Sequence, residues 1–372
     1  MPRLKPQSRR RAHKTIVLLV MAFPHQRQEA FFEGHVAGFA WLGGVPRRIW
    51  YDNPKVAVQR IPSLRSGQAL AGRNRQEQQA FTGLRSHYLF ESRFCTPGQG
   101  HEKGLVEALV GQTRRNFMVP VPVAANWTDL NAQLLARCDQ EKLRRRQGEA
   151  QTIGERWAAE RAHLLPLPTT PFEACVHTPA HVNSQRLVPF DGNAYSVPIN
   201  PTHERGGVLV KGFVHRVVIC CQGRPVAEHP RCYAKGQEIS DPLHYLDLLE
   251  QRPGAFEHAQ PIRRWRGAWP PGYEQYLAAL RGRLDEATAV RRFVQVLRLH
   301  GEFPADRVAQ AVQQALTLEC FHPDGVRHLL LAQAEPVVMP APLDLSQRPE
   351  LAQRPVGAPD LARYNQLLTP EA

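Results

Sequence analysis

The stretch "GGVPRRIWYDNPKVAV", residues 43–58, decides how the first half of the chain is read. Arg48, Ile49, Trp50 and Tyr51 have the β-branched and aromatic character of a short strand, and Pro54 ends it because proline has no N–H for a ladder. Gly43 and Gly44 stop the preceding segment, "QRQEAFFEGHVAGFAWLGG", in which Phe32, Val36 and Phe39 recur at helical spacing. Upstream, Thr15 to Phe23 is a near-continuous run of aliphatic side chains, as in a strand covered on both faces. Strand, helix and strand with short connections predict a βαβ unit and an α/β layer. Asp52 then falls at the carboxyl end of a strand. There it either opens a turn, which Asp and Asn do readily, or serves as a reactive carboxylate where open α/β sheets place them.

The totals narrow the partners. A net charge of +13 on 372 residues points to a polyanion, nucleic acid first, with a merely solubilising surface as the bland alternative. At 42% hydrophobic residues the chain can bury real cores. Seven scattered cysteines, with no C-x-x-C pair, argue against a disulfide framework or zinc ribbon and fit a reducing cytoplasm. "RRRAHKTIVLLVMAF" (9–23) imitates a signal peptide, but no small-residue cleavage site follows and the apolar run is too short to span a bilayer. A buried strand and no membrane contact are expected.

Further along, "QQAFTGLRSHYLFE" (78–91) reads as a helix leading into a strand at 88–94. A glycine-punctuated loop, 95–104, precedes a helix over about 102–117, and 127–146 reads as a helix with a basic end. This gives a basic segment 1–14, an α/β core 15–163 and a proline-rich linker 164–182. Short strands with turns at Asp191-Gly192 and Gln222-Gly223 predict a small β-barrel over 183–236. Helices follow over 237–334, then a disordered tail over 335–372. Cys220 and Cys221 sit in an apolar run as small core residues.

On the helix "HEKGLVEALVGQTRR" (101–115), Leu105, Val106, Leu109 and Val110 form a packing side. Lys103, Glu107 and Arg114 share a flank at i, i+4 and i+11. Gly104 and Gly111 weaken the helix and are understandable where backbone approaches a partner. One carboxylate with two cations is what a phosphate-handling surface needs, and also what an ordinary solvated face looks like. "IRRWRGAW" (262–269) could set Arg263, Arg264 and Arg266 on phosphates.

Together, "GGVPRRIWYDNPKVAV" and "HYLFESRFCTPGQGHEKGLVEALVGQTRRNFMVP" (87–120) resemble the catalytic core of IstA-type transposases of the IS-twenty-one insertion sequences. The resemblance runs over about 20–335 and includes "VPFDGNAYSVP". It implies the DDE transposase and retroviral integrase superfamily. The fold would be α/β, an incomplete ribonuclease-H-like (integrase core) domain followed by a small β-barrel and a helical C-terminal region. By the same resemblance Asp52 is the second acid of the triad and Glu107 the third, ligands of two Mg²⁺ ions (Mn²⁺ possible) in an in-line displacement at phosphorus. Lys103, Arg114 and Arg115 would lie near the phosphodiester backbone. The implied partners are terminal-repeat and target DNA, an AAA+ ATPase helper, and further copies of the chain on DNA. The barrel would contact DNA or a neighbouring subunit, in a bacterial, nucleoid-associated setting.

The family's first aspartate has no counterpart. No Asp precedes position 52, and the only earlier acids, Glu29 and Glu33, fall within the first helix. A truncated or decayed copy, or a start placed too late, is the expectation. Strand transfer by this chain alone should be impaired, and the sheet should show an unpaired edge. A non-catalytic DNA-binding remnant, or an inhibitor of the longer transposase, is the alternative.

Overall fold

The computed structural model describes residues 17–51, 56–60, 76–94, 104–198 and 207–334. The amino-terminal segment 1–14, Asp52, Lys103 and the tail from 335 onward lie outside them. The described chain is mixed α/β and divides into two units, 1–245 and 246–372.

The first unit begins without the predicted strand. Residues 17–23 make no ladder among the described residues. Their backbone is held by side chains of helix α4 (Trp127–Lys142) instead. Val20 N–H donates to Cys138 Sγ at 3.3 Å, and Asn131 pairs with both Ala22 N–H (2.7 Å) and Ala22 C=O (3.0 Å). Val20, Phe117, Leu134 and Cys138 make a small buried cluster there. The apolar run is therefore interior, as read, but satisfies its polar groups without a sheet neighbour.

Helix α1 (Gln28–Leu42) follows. It stops as expected at Gly43, whose φ of 72° puts it in the left-handed region, and whose N–H reaches the carbonyls of Phe39 and Ala40 at 3.0 and 3.1 Å. Gly44 is small for a different reason. A Cβ there would lie 2.8 Å from Leu164 Cβ and 3.0 Å from the Leu165 carbonyl, because the chain beyond the core passes this close. Val45 and Leu165 exchange backbone hydrogen bonds at 2.9 and 2.8 Å.

Strands β1 (Arg48–Tyr51) and β4 (Glu91–Phe94) pair in parallel, Arg48 opposite Glu91 and Tyr51 opposite Phe94. Between them in sequence come the short antiparallel pair β2 (Val58–Arg60) and β3 (Gln76–Glu77), then helix α2 (Gln79–Tyr88). The βαβ unit is thus β1–α2–β4. An aromatic core holds it: Phe32, Phe39, Tyr51, Phe81, Tyr88 and Phe90 are buried, with rings such as Tyr51 and Phe81 edge-on at 5.2 Å. The outer edge of β1 has no strand partner among the described residues, and Trp50 on it is 63% exposed. Helix α3 (Gly104–Phe117) packs its end through Phe117, and α5 (Ile153–Glu160) opens on a Thr152/Glu155 capping box. Helix α4 is shorter than the expected 127–146. Its backbone leaves the helix at Leu143, and Arg145 bridges Thr152.

The expected small β-barrel is not closed. Its strands make two sheets, β10–β9–β8–β5 and β11–β7–β6. The strands are β5 (Val176–Ala180), β6 (Leu187–Phe190), β7 (Asn193–Ser196), β8 (Val208–Gly212), β9 (Arg216–Cys221), β10 (Arg224–Pro230) and β11 (Glu238–Ile239). Strand β5 lies within the stretch read as linker. The edge strands explain the open seam: Pro179 in β5, Pro189 in β6, and Pro225 and Pro230 in β10 each lack a ladder donor. Both sheets cover one core of Val188, Phe190, Tyr195, Val210, Val217 and Ile219. The two turns are as read: Asp191-Gly192 and Gln222-Gly223 both have positive φ at each central residue, the geometry that suits a two-residue hairpin. Cys220 and Cys221 are buried in β9.

The second unit is helical, as expected: α6 (Leu246–Gln251), α7 (Gln260–Arg266), α8 (Pro271–Arg281), α9 (Glu286–Arg298), α10 (Ala305–Thr317) and α11 (Pro323–Ala334). Its core gathers Tyr273, Tyr276, Phe293, Leu297, Val308 and Leu330. Among the described residues no helix is long and apolar enough to cross a membrane.

In the first unit, a charged cluster fastens α1 to the sandwich. Glu29 in the first turn of α1 lies 3.1 Å from Arg231, and both side chains are almost fully buried. Arg231 also meets Asp191 at 3.1 Å, and Asp191 takes Arg27 and Lys235 as further partners. Burial alone would raise the Asp191 carboxyl, but hydrogen bonds from Lys235, Arg27 and Arg231 outweigh it and hold it at about 2. Its folded pKa is depressed, so its contribution is complete above the unfolded value of 3.8 and is lost as pH falls through about 2. Asp191→Asn should cost about 2 kcal/mol at neutral pH. Urea unfolding checks this, and the gap between variant and parent should narrow as the pH is lowered below about 4.

Candidate functional site

Tyr51, the last residue of β1, fixes the strand tip that precedes Asp52. Its side chain is buried, and its hydroxyl lies 2.9 Å from His35 Nε2. His35 Nδ1 sits 2.7 Å from the Phe31 carbonyl, which can only accept, so Nδ1 carries the proton and neutral Nε2 accepts from Tyr51. Burial lowers the His35 pKa, although the bond to Phe31 works the other way. Sequence reading missed this pair. The only available signal was a histidine at i+3 and i+4 from apolar neighbours on the core face of α1.

Glu107 lies in the middle of α3, whose backbone is helical as expected; its side chain is outside the description, as are those of Leu105, Val106 and Leu109. Val110, expected to pack, is 46% exposed. Arg114 and Arg115 are exposed in the last turn of α3. A Cβ on Gly111 would meet only the Arg115 guanidinium at an ordinary 3.5 Å, so no described neighbour presses on the backbone there. The structure supplies the two elements, a strand ending at Tyr51 and a helix carrying Glu107.

Both earlier acids sit on α1. Glu29 is the buried partner of Arg231. Glu33 is half-buried, and burial raises its pKa against the opposing pull of His215 and Arg216.

Cations gather at two further places. At the end of α4 and just beyond it, Lys142, Arg144, Arg145 and Arg146 line a cavity of about 280 Å³ together with Val17 and Ile153. There Lys142 is held by Asp139 at 2.9 Å and lies over the Trp41 ring at 3.6 Å, while Arg144 is paired with Glu141 at 2.6 Å. Arg145 and Arg146 are exposed. In the second unit Arg263 and Arg264 are exposed on α7. Arg266 grips Glu257 and Glu274, each at 2.5 Å, and stands beside Trp269.

Comparison with known proteins shows what the chain is similar to. Residues 167–241, the two-sheet sandwich with its lead-in, match the family "Mu transposase, C-terminal domain". The chain is 32% identical over 352 residues to the transposase for insertion sequences IS1326/IS1353 of Pseudomonas aeruginosa, covering 91% of this chain and 65% of that protein. A transposase of Aminobacter aminovorans is 31% identical over 304 residues, covering 80% and 56%. The transposase for insertion sequence element IS21 of Pseudomonas aeruginosa is 29% identical over 236 residues, covering 62% and 57%. The chain is a relative of the insertion-sequence transposases, and it spans a little under two thirds of the length of the first of these relatives.

Two outcomes follow from the geometry. The folded pKa of His35 lies below the unfolded value of 6.5, so its favourable share is complete above 6.5 and is lost as pH falls from there. Urea midpoints measured from about pH 7.5 to about pH 5.5 should drop, and His35→Gln should flatten part of that slope, leaving the shares of His244 and His300, which burial also lowers. In the second unit, Arg266→Ala should lower thermal stability by several degrees, about 1–2 kcal/mol, whereas exposed Arg263→Ala should leave the melt unchanged.

Proposed function

We propose that the chain acts on DNA as part of an insertion-sequence transposase, with Asp52 and Glu107 as carboxylate ligands of Mg²⁺ (Mn²⁺ as a substitute) in a ribonuclease-H-like core. The observation that carries this is the 32% identity running through 91% of the chain to a named transposase. The parallel β1–α2–β4 unit supports it by ending a strand immediately before Asp52, where open α/β layers present reactive groups.

The donor set fits the ion. Two carboxylates are hard oxygen ligands of the kind Mg²⁺ takes, with water filling the remaining positions. Bound Mg²⁺ would activate a water or 3′-hydroxyl and offset charge on the phosphoryl oxygens. The protein's share is positional. Tyr51, locked by His35 and the aromatic core, holds the end of β1, and α3 carries Glu107 with Arg114 about two turns further along and Arg115 beside it. Lys103, Arg114, Arg115, Arg145 and Arg146 would bind phosphates of terminal-repeat or target DNA without reading sequence. Arg263 and Arg264 would do so from the second unit, where Arg266 orders α7 through its two carboxylates. The sandwich is offered as a surface for DNA or a neighbouring subunit, and the helical unit for an AAA+ helper or another copy.

Asp52 and Glu107 are the two acids this reading assigns, with Glu29 paired to Arg231 and Glu33 on α1, and these 372 residues by themselves should bind DNA but join strands poorly. The test uses terminal-repeat DNA with Mg²⁺ or Mn²⁺. Asp52→Asn and Glu107→Gln should leave DNA affinity nearly intact while removing residual cleavage or joining. Arg114→Ala and Arg115→Ala should each reduce the salt dependence of binding by about one charge. Normal joining by the unmodified chain would refute the impairment. DNA binding with no metal-dependent chemistry, whichever acid is present, would leave the non-catalytic remnant or inhibitor as the correct reading.

A further inference from the structure

A second group of possible ligands lies far from Asp52 and Glu107 in chemistry: Glu173, Cys175 and His177, at the point where the chain enters β5. We propose that these three side chains form a site for a zinc-like divalent cation, clamping the junction between the aromatic core and the sandwich.

The chain alternates here. Phe172 and Ala174 pack into the core with Phe32 and Phe81, while exposed Glu173 between them and buried Cys175 after them bring their ligand atoms together. Cys175 N–H donates to the Glu173 carbonyl at 2.8 Å, a three-residue turn at Ala174 that folds Glu173 back toward the strand. His177, two residues into β5, falls on the same side as Cys175. The result is three donors of three kinds whose ligand atoms lie within 4.8 Å of one another.

The spacing suits tetrahedral coordination. Bonds of about 2.3 Å to sulfur and about 2.0–2.2 Å to nitrogen and oxygen require edges of about 3.6 Å for S···N and about 3.4 Å for N···O. Cys175 Sγ is 3.6 Å from His177 Nε2, and His177 Nε2 is 3.9 Å from Glu173 Oε2. The third edge, from Cys175 Sγ to the Glu173 carboxylate, is within 4.8 Å, so a swing of the exposed Glu173 side chain by up to about an ångström would close the shell, leaving one position for water.

Lys211 is the main counter-argument, since its ammonium lies 2.8 Å from Glu173 Oε2 and 2.9 Å from Oε1. A carboxylate that ligates through one oxygen can keep a hydrogen bond on the other, which is how outer partners orient metal ligands. Lys211 would retain Oε1 and yield Oε2. Sulfur and imidazole select zinc-like ions over magnesium, so this site would not compete for the ion proposed at the carboxylates. Coordination transfers the Cys175 thiol proton to solvent as the sulfur–metal bond forms, with no change of oxidation state.

Cobalt titration of the reduced, metal-stripped full chain tests the site. One equivalent should bind with a cysteinate-to-cobalt charge-transfer band, zinc should displace it, and zinc should raise the melting temperature. Cys175→Ser should abolish the band, and His177→Gln should weaken binding by at least about tenfold. His177 is half-exposed, so its variant keeps the test valid if Cys175→Ser does not fold. Cys232→Ser, in a loop after β10, should leave the titration unchanged. The proposal is overturned if the parent shows no charge-transfer band, or if the band and affinity persist in the folded His177→Gln chain. DNA binding and strand joining are not read in this experiment, so its failure says nothing about the carboxylate site.

Discussion

Glu29, Arg231 and Asp191 form the contact on which the first unit depends. A buried guanidinium between two carboxylates is costly to desolvate, so it survives only where geometry supplies partners on more than one side. Arg231 has them: Asp191 at 3.1 Å, Glu29 at 3.1 Å though not aligned as a hydrogen bond, and the faces of Phe190 and Tyr233 at 4.9 Å each. Glu29 also stands in the first turn of α1, where the helix dipole favours an anion. The start of α1 is therefore tied to the sandwich and its end, at Gly43 and Gly44, to Leu164 and Leu165. A helix held at both ends by chain that comes more than a hundred residues later fixes His35, and His35 fixes Tyr51. The strand tip before Asp52 is set by contacts remote in sequence.

That dependence supports the parallel pair seen among the described residues. A parallel pair of four-residue strands has little stability alone, and parallel sheets normally occur covered on both faces. Here the aromatic rings of α1 and α2 take over. Phe39 meets Tyr88 at 4.7 Å and Phe90 at 5.8 Å, and Phe81 meets Tyr51 and Phe94. The edge of β1 that has no strand partner among the described residues borders a groove of about 1050 Å³ lined by Met21, Phe23, Phe39, Ile49 and Trp50. Residues 17–23 skirt this groove and bond to α4 instead of the sheet, because Asn131 and Cys138 offer their backbone the partners that a neighbouring strand would otherwise supply.

Local rules were legible where local physics decides. The helix stop at Gly43, the strand over 48–51, both hairpin turns and the burial of Cys220 and Cys221 all follow from residue type and spacing. Barrel closure was not legible, since hydrophobic alternation reads the same for a sandwich. The prolines on the edge strands carried the distinction and could have been weighed. The strand predicted over Thr15–Phe23 failed because a run of aliphatic residues reports burial and cannot report who supplies the hydrogen bonds. Of the site, the strand tip and the helix were legible. Asp52 and Lys103 lie outside the described residues, and the Glu173–Cys175–His177 spacing is too common in strands to signal anything until the turn at Ala174 folds it.

The net charge of +13 is also a poorer guide to the DNA-facing surface than it first looks. Acidic partners are already subtracted in that figure, so ion pairing leaves it unchanged, but pairing decides which arginines are available to a phosphate. Arg27 and Arg231 serve the Asp191 cluster, Arg266 and Arg281 share Glu257, Arg298 holds Glu250, and Arg327 holds Glu302. Arginine is suited to such roles because its planar fork meets a carboxylate with two donors. A cation so occupied must break a short ion pair before it can take a phosphate, whereas an exposed one exchanges only water and counterions. The number of arginines near a proposed interface therefore matters less than their partners. By that criterion Arg114 and Arg115 on α3, with Arg145 and Arg146 beyond α4, are better placed to meet a polyanion than Arg266, although the tryptophan-rich sequence around Arg266 drew attention first.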